Sequence, residues 1–279
     1  MKYKLLCIDV DGTLARNDKS ISQVNKDALK KVNDLGIKIA IASGRAPMSV
    51  KSILDDIKIP KIAICLNGTY VIAGENVVSS RFFTQEQLDK AFEIVSSFDT
   101  NATFNTPHVS VRSHDVSKEW KKQIENGSLK ADYILAHTKE EYKKLIYQYG
   151  KEVVKVSILE RDNRKYEKIK RAFEDTGLYS VAKSDIDYVD ITAKDSTKGQ
   201  GVIQLAKYFN IPLEEVVCIG DNENDFEMLQ CAGLSIAMEN AVKSIKDIAD
   251  EVTLDNDHDG VAYAIEHMIL EEKENDKNH

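Results

Sequence analysis

The run Ile8-Asp9-Val10-Asp11-Gly12-Thr13-Leu14 decides how this chain is read. The apolar stretch Lys4–Val10 (KLLCIDV) has the composition of a buried strand. It ends in two aspartates spaced by one residue, with a glycine and a hydroxyl residue directly after. Carboxylates leaving the end of a buried strand repel each other and are costly to desolvate. They are tolerable where a cation lies between them or one of them is protonated. All-oxygen ligands suit Mg²⁺. The stretch therefore predicts a carboxylate nucleophile, a neighbouring acid/base group and a hard metal, which together make a phosphoryl-transfer site.

Further strands and helices alternate outward from this point. Residues 37–43 (IKIAIAS) and 61–68 (KIAICLNG) are continuous apolar runs, and so are EEVVCIG and GLSIAM after residue 213. Between them lie amphipathic segments. One is opened by Ser20-Ile21-Ser22 and closed by Gly36, one runs from about Pro47 to Ile57, and one is STKGQGVIQLAKYF. Continuous rather than alternating apolar strands, separated by helices, predict a parallel sheet covered on both faces. The texture changes over about residues 83–188. Tyrosine, lysine and glutamate are frequent there, TQEQLDKAFEIVSSF and KEEYKKLIYQYG read as helices, and VVKVSILE and YVDIT read as strands. The reading is an α/β core built from residues 1–82 and 189–279, with an inserted α+β domain at 83–188. The tail at residues 272–279 reads as a frayed end.

Composition narrows the classes of function. A formal charge of −8 over 279 residues argues against nucleic acid bound through a broad basic face. No apolar run approaches the roughly 20 residues that span a bilayer, and the N-terminus lacks a signal-peptide cleavage pattern. Cys7, Cys65, Cys218 and Cys231 have no CxxC spacing, and the first three lie within strand-like runs. They read as reduced core cysteines of a cytoplasmic protein. The histidines are scattered without a metal-binding spacing.

Open parallel sheets bind ligands at the carboxyl ends of their strands. Polar clusters follow four predicted strands: Asp9–Thr13, Ser43-Gly44-Arg45, Asn67-Gly68 and Gly220–Asp225 (GDNEND). Lys198, from the helix start in DSTKGQG, is a fifth candidate. Each has a plain alternative: Ser43 as a helix cap, Arg45 as a surface ion pair, Asn67-Gly68 as a turn. Asn105, His108, Arg112 and His114 read as a solvated polar face. Trp120 and the tyrosines read as packing residues, and residues 255–260 (DNDHDG) as the turn and cap before the last helix.

Taken in order, DVDGTL, SGR, the lysine of KGQG and GDNEND resemble the haloacid dehalogenase (HAD) superfamily of aspartyl-phosphate phosphatases. GIK leading into IASGR, LNG, and DIT followed by KGQGV resemble its Cof-type branch, which includes many sugar-phosphate phosphatases. The resemblance implies a Rossmann-like core with a cap of about a hundred residues inserted between the second and third motifs, where residues 83–188 lie. It implies Asp9 as nucleophile, Asp11 as general acid and then base, and Lys198 as the cation that neutralises the phosphoryl charge. Mg²⁺ would be held by Asp9, the backbone carbonyl of Asp11 and Asp221, with Asn224 and Asp225 behind them. Ser43, Gly44 and Asn67 would contact the phosphate or the substrate. The implied partner is a small phosphorylated metabolite, a sugar phosphate or a phosphorylated cofactor, with neither nucleic acid nor membrane involved. The oligomeric state is left open, and a monomer is compatible with the sequence. A phosphomutase on the same core and a non-catalytic metal- and phosphate-binding sensor are the competing readings.

Overall fold

The apolar runs become the centre of an eight-stranded sheet. In this computed structural model, residues 2–115, 118, 121–122, 132–185 and 188–270 are described. Trp120 and the tail at 272–279 lie outside them. Strands β1 (Leu5–Asp9), β2 (Lys38–Ala42), β3 (Ile62–Cys65) and β12 (Val216–Gly220) are buried almost end to end, as continuous apolar runs require. The spatial order is β14-β13-β12-β1-β2-β3-β4-β5, with β13 at Leu234–Ala237 and β14 at Glu251–Val252. The first six are parallel. Beyond them the sheet turns antiparallel through a hairpin, β4 (Tyr70–Ala73) and β5 (Asn76–Ser80). The helix–strand alternation of the sequence did not predict this hairpin. β5 is mostly exposed and not strongly apolar, so a buried-strand pattern misses it.

Helices α1 (Gln23–Asp34) and α2 (Pro47–Ile57) connect the early strands. Ser22 caps α1 by accepting a hydrogen bond from the Asn25 amide, and Pro47 opens α2 where no amide donor is needed. A second sheet of six strands has the order β10-β11-β9-β6-β7-β8. Its strands are β6 (Asn101–Asn105), β7 (Ser110–Arg112), β8 (Tyr133–Leu135), β9 (Lys155–Leu159), β10 (Tyr179–Asp185) and β11 (Tyr188–Ala193). It packs against α3 (Gln85–Phe98), α4 (Lys139–Tyr149) and α5 (Asn163–Glu174). The hydrophobic side chains fall into two clusters. One surrounds Leu5, Ile41, Ile64 and Val217; the other surrounds Phe104, Val156, Ile169 and Phe173. The chain returns to the first sheet through α6 (Lys198–Tyr208), and α7 (Phe226–Gln230), α8 (Lys243–Lys246) and α9 (Gly260–Ala264) complete it. Asp255 accepts from the amides of Asp257 and His258, so DNDHDG forms the capped turn before α9. Among the described residues, no helix is long and apolar enough to cross a membrane.

Candidate active site

Because β1, β2, β3 and β12 run parallel, the loops at their carboxyl ends share one edge of the sheet. Asp9 ends β1, Ser43 follows β2, Asn67 lies in the 3₁₀ turn Leu66–Gly68 after β3, and Asp221 follows β12. The Asn67 amide donates to the Ser43 carbonyl (3.1 Å) and the Leu66 amide to that of Arg45 (3.0 Å), tying the second and third loops together. The approach of the loops is close enough to dictate residue type. Gly12 has φ +88°, and a Cβ there would lie 2.4 Å from an Asp221 carboxylate oxygen. Gly68 has φ +92°, and its Cβ would lie 1.9 Å from the Thr197 carbonyl, at the N-terminus of α6. Only glycine fits either position.

Lys198 arrives from that helix end. Its ammonium is fully buried and lies 2.6 Å from Asp9 Oδ1 and 2.6 Å from Asp225 Oδ1. Asp225 spends its other oxygen on the backbone amides of Asp221 (3.0 Å) and Asn222 (3.1 Å). Thr13 Oγ1 donates to Asp221 Oδ1 (2.9 Å). The carboxylates of Asp9, Asp221 and Asp225 thus lie together, each offering an oxygen within 4.8 Å of the others. One ammonium faces three carboxylates, and the titration behaviour follows from that imbalance. Burial raises the Asp9 carboxyl well above its ordinary range against the pull of Lys198, with Asp225 and Asp221 adding to the rise. Burial, then the neighbouring Asp225, pushes Asp221 from 3.8 up to about 6. The charge surplus and the clustered carboxylate oxygens of Asp9 and Asp221 fit a divalent cation with hard oxygen ligands. Asp225 is engaged with Lys198 and two amides.

Asp11 lies two residues from Asp9 in a different environment. Arg45 donates twice to its carboxylate, Nε to Oδ2 (2.8 Å) and Nη2 to Oδ1 (2.6 Å), and Lys19 Nζ lies 3.2 Å from Oδ1. Burial acts to raise the Asp11 pKa, but hydrogen bonds and charge from Arg45 and Lys19 outweigh it and hold the carboxyl below 3.8. Neighbouring carboxylates with opposite shifts suit different chemical roles. Ser43 is buried, and its Oγ accepts from the Arg45 amide (3.2 Å). Asn67 Oδ1 accepts from Asn224 (3.2 Å) and Asn67 Nδ2 donates to Asp190 Oδ2 (2.9 Å).

Every candidate from the sequence therefore lies at this sheet edge or hydrogen-bonds to a residue that does. Arg45, whose role the sequence left open, binds Asp11 rather than a surface acid. Arg112 is buried and contacts His114, so the solvated face expected for that cluster is corrected at this residue. Two buried residues adjoin the site without having been site candidates: Lys155, which no motif included, and Asp190, the first residue of the DIT motif, which was given no role. Each is the charged residue within an otherwise apolar or uncharged strand run, KVSIL and YVDITA, and that irregularity was the available signal.

The family model for haloacid dehalogenase-like hydrolases matches residues 6–265, and the chain belongs to that family. It is 30% identical to the phosphatase YwpJ of Bacillus subtilis over 300 aligned positions, covering 95% of this chain and all of the relative. It is 29% identical to the 5-amino-6-(5-phospho-D-ribitylamino)uracil phosphatase YwtE of the same organism, covering 95% of this chain and 98% of that one. Among solved structures it resembles the HAD subclass IIB sugar phosphatase BT4131, with a TM-score of 0.79, 26% identity, and coverage of 95% and 98%.

Proposed function

We propose that this protein is a Mg²⁺-dependent phosphomonoester hydrolase of small phosphorylated metabolites, sugar phosphates or phosphorylated cofactors, working through an aspartyl phosphate on Asp9. The observation that carries the reading is the pairing at the end of β1. A buried carboxylate is oriented by Lys198, and a second carboxylate two residues on is held by Arg45. The names of the relatives support the substrate class.

In the first step an Asp9 oxygen attacks phosphorus in line. The Asp9–phosphorus bond forms, the ester P–O bond breaks, and the leaving oxygen takes a proton from Asp11. In the second step Asp11, now ionised, takes a proton from water as that water attacks the same phosphorus. The Asp9–phosphorus bond breaks and inorganic phosphate leaves. The phosphoryl group also competes with Asp11 for the Arg45 guanidinium. Freed from Arg45, the Asp11 carboxyl rises into the range where it can carry the first-step proton. Lys198, the Ser43 hydroxyl and the Gly44 amide offset the charge on the phosphoryl oxygens, the main requirement of this transfer. Asp9, the Asp11 carbonyl and Asp221 would hold Mg²⁺, which when bound supplies further charge neutralisation of the phosphoryl group. In this reading residues 1–82 and 194–279 form the catalytic core. The second sheet with its helices, which runs on to the end of β11 at Ala193 rather than the 188 expected from sequence, forms a cap that excludes water and selects the leaving group.

The test is phosphate release from a panel of phosphomonoesters with Mg²⁺ and with chelator, for the native chain and Asp9→Asn. Release that needs Mg²⁺ and vanishes in Asp9→Asn is the expected result. Turnover surviving in Asp9→Asn would exclude the covalent route. Conversion of the ester to an isomer without phosphate release would move the reading to a phosphomutase.

A further inference from the structure

A charged pair from the second sheet reaches the catalytic loops. Lys155, the first residue of β9, and Asp190, in β11, lie on the same face of that sheet with Nζ and Oδ2 2.9 Å apart. Their residues are only 6% and 3% exposed. The pair is not closed on itself. Lys155 Nζ also donates to the Gly44 carbonyl (2.9 Å), and Asp190 accepts from Asn67 (2.9 Å) and from Ser157 Oγ (2.7 Å). Val154, next to Lys155, packs within the hydrophobic cluster of the first sheet. Apolar packing alone could seat one sheet on the other, and a buried ion pair is a poor source of stability compared with apolar residues of the same size. What this pair supplies is direction.

The Gly44 carbonyl and the Arg45 amide are two ends of one planar peptide unit. Lys155 fixes the carbonyl end. The amide end donates to Ser43 Oγ (3.2 Å), occupying an acceptor position on the hydroxyl and leaving its own proton free to point elsewhere. On the opposite side, Asp190 holds Asn67, whose backbone amide donates to the Ser43 carbonyl (3.1 Å). We propose that Lys155 and Asp190 are positioning residues: through the Gly44–Arg45 peptide plane and Asn67 they aim the Ser43 hydroxyl at the phosphoryl group when the cap is seated. The proposal rests on the phosphatase reading in taking Ser43 as a phosphate donor.

The experiment is a double-mutant cycle in the full chain between Lys155→Met and Ser43→Ala. It is read as kcat and KM for a phosphomonoester and as the Kd of inorganic phosphate with Mg²⁺ by calorimetry. Lys155→Met should lower kcat on the order of tenfold to a hundredfold, with a smaller change in KM, as a misaimed donor does. In the Ser43→Ala background the same change should cost almost nothing, in kcat and in phosphate affinity alike. Lys155→Met strands the Asp190 carboxylate, so Lys155→Met/Asp190→Asn is measured beside it. In that variant the new side-chain carbonyl still accepts from Asn67, and its amide can donate to the Ser157 hydroxyl, which turns from donor to acceptor. It should recover the native melting temperature while remaining slow. An equal loss from Lys155→Met in both backgrounds overturns the proposal, and so does recovery of kcat together with stability. If the native chain turns over no ester, the phosphatase reading fails, but the phosphate-affinity cycle still decides this one. Native protein that binds no phosphate overturns it.

Discussion

Replacing Asp221 by Asn should make the metal-free protein more stable while impairing its use of metal. Asp221 is mostly buried, accepts from Thr13 and shares its surroundings with Asp9 and Asp225. Its carboxyl is raised by burial, and then by Asp225, from 3.8 to about 6. The folded chain therefore binds more protons than the unfolded chain between about pH 4 and pH 6. Stability is lost as the pH rises through that window, and the full cost is present above it. A rise of that size corresponds to about 3 kcal/mol. Asparagine keeps the shape and the acceptor for Thr13 but carries no charge. In chelator at pH 8, Asp221→Asn should gain about 3 kcal/mol, or about 5 °C in melting temperature for a chain of this length. The gain should shrink as the pH is lowered toward 5. Adding Mg²⁺ at pH 8 should raise the melting temperature of the native chain and much less that of the variant, so the order of stability closes or reverses. Scanning calorimetry across pH, with and without Mg²⁺, reads all of this. A variant no more stable than the native chain in chelator at pH 8 would refute the charge-crowding argument.

Lys198→Met leaves two buried carboxylates without their cation and should destabilise by about 3–5 kcal/mol. The loss should be smaller at pH 5 than at pH 8, because protonation of Asp9, whose carboxyl burial already raises, relieves the stranded charge, as read by urea denaturation at the two pH values. Arg45→Met removes the main interaction that holds the Asp11 carboxyl low, so its pKa should rise. The alkaline limb of the kcat/KM profile, which reports the free enzyme and where Asp11 must carry the first-step proton, should then move to higher pH. A profile shifted downward would contradict the pairing of Asp11 with Arg45. Gly68→Ala forces a Cβ onto the Thr197 carbonyl in a left-handed backbone. It should cost about 2–4 kcal/mol and lower turnover by displacing the start of α6, as read by thermal unfolding and phosphate release.

The parallel strands of the first sheet were legible because burial on both faces forces continuous apolar runs, as in LLCID and VVCIG, whereas the β4–β5 hairpin, with its mostly exposed β5, was not. The helices between them were legible from periodicity and caps, with Pro47 and Ser22 marking starts. The second sheet was legible only in part. α5 carries Tyr166, Ile169 and Phe173 as a narrow stripe on a strongly polar helix, and β7 and β8 are three residues each, too short to declare a period.

At the site the division is sharper. Residue types and their order along the chain, two aspartates at a strand end, then SGR, a lysine at a helix start and GDNEND, determined which residues carry charge and hydroxyls at one sheet edge. Parallel strands leave no other edge for their carboxyl ends. Which carboxylate pairs with which cation was decided by tertiary structure alone. Lys198 meets Asp9 across 189 positions of sequence and Arg45 takes Asp11 across 34, and Lys155 crosses 111 to reach the Gly44 carbonyl. Such pairings depend on distances of a few ångströms between loops far apart in the chain. The sequence lists the charges, but only the folded chain sets the separations and the desolvation that fix the protonation and direction of each.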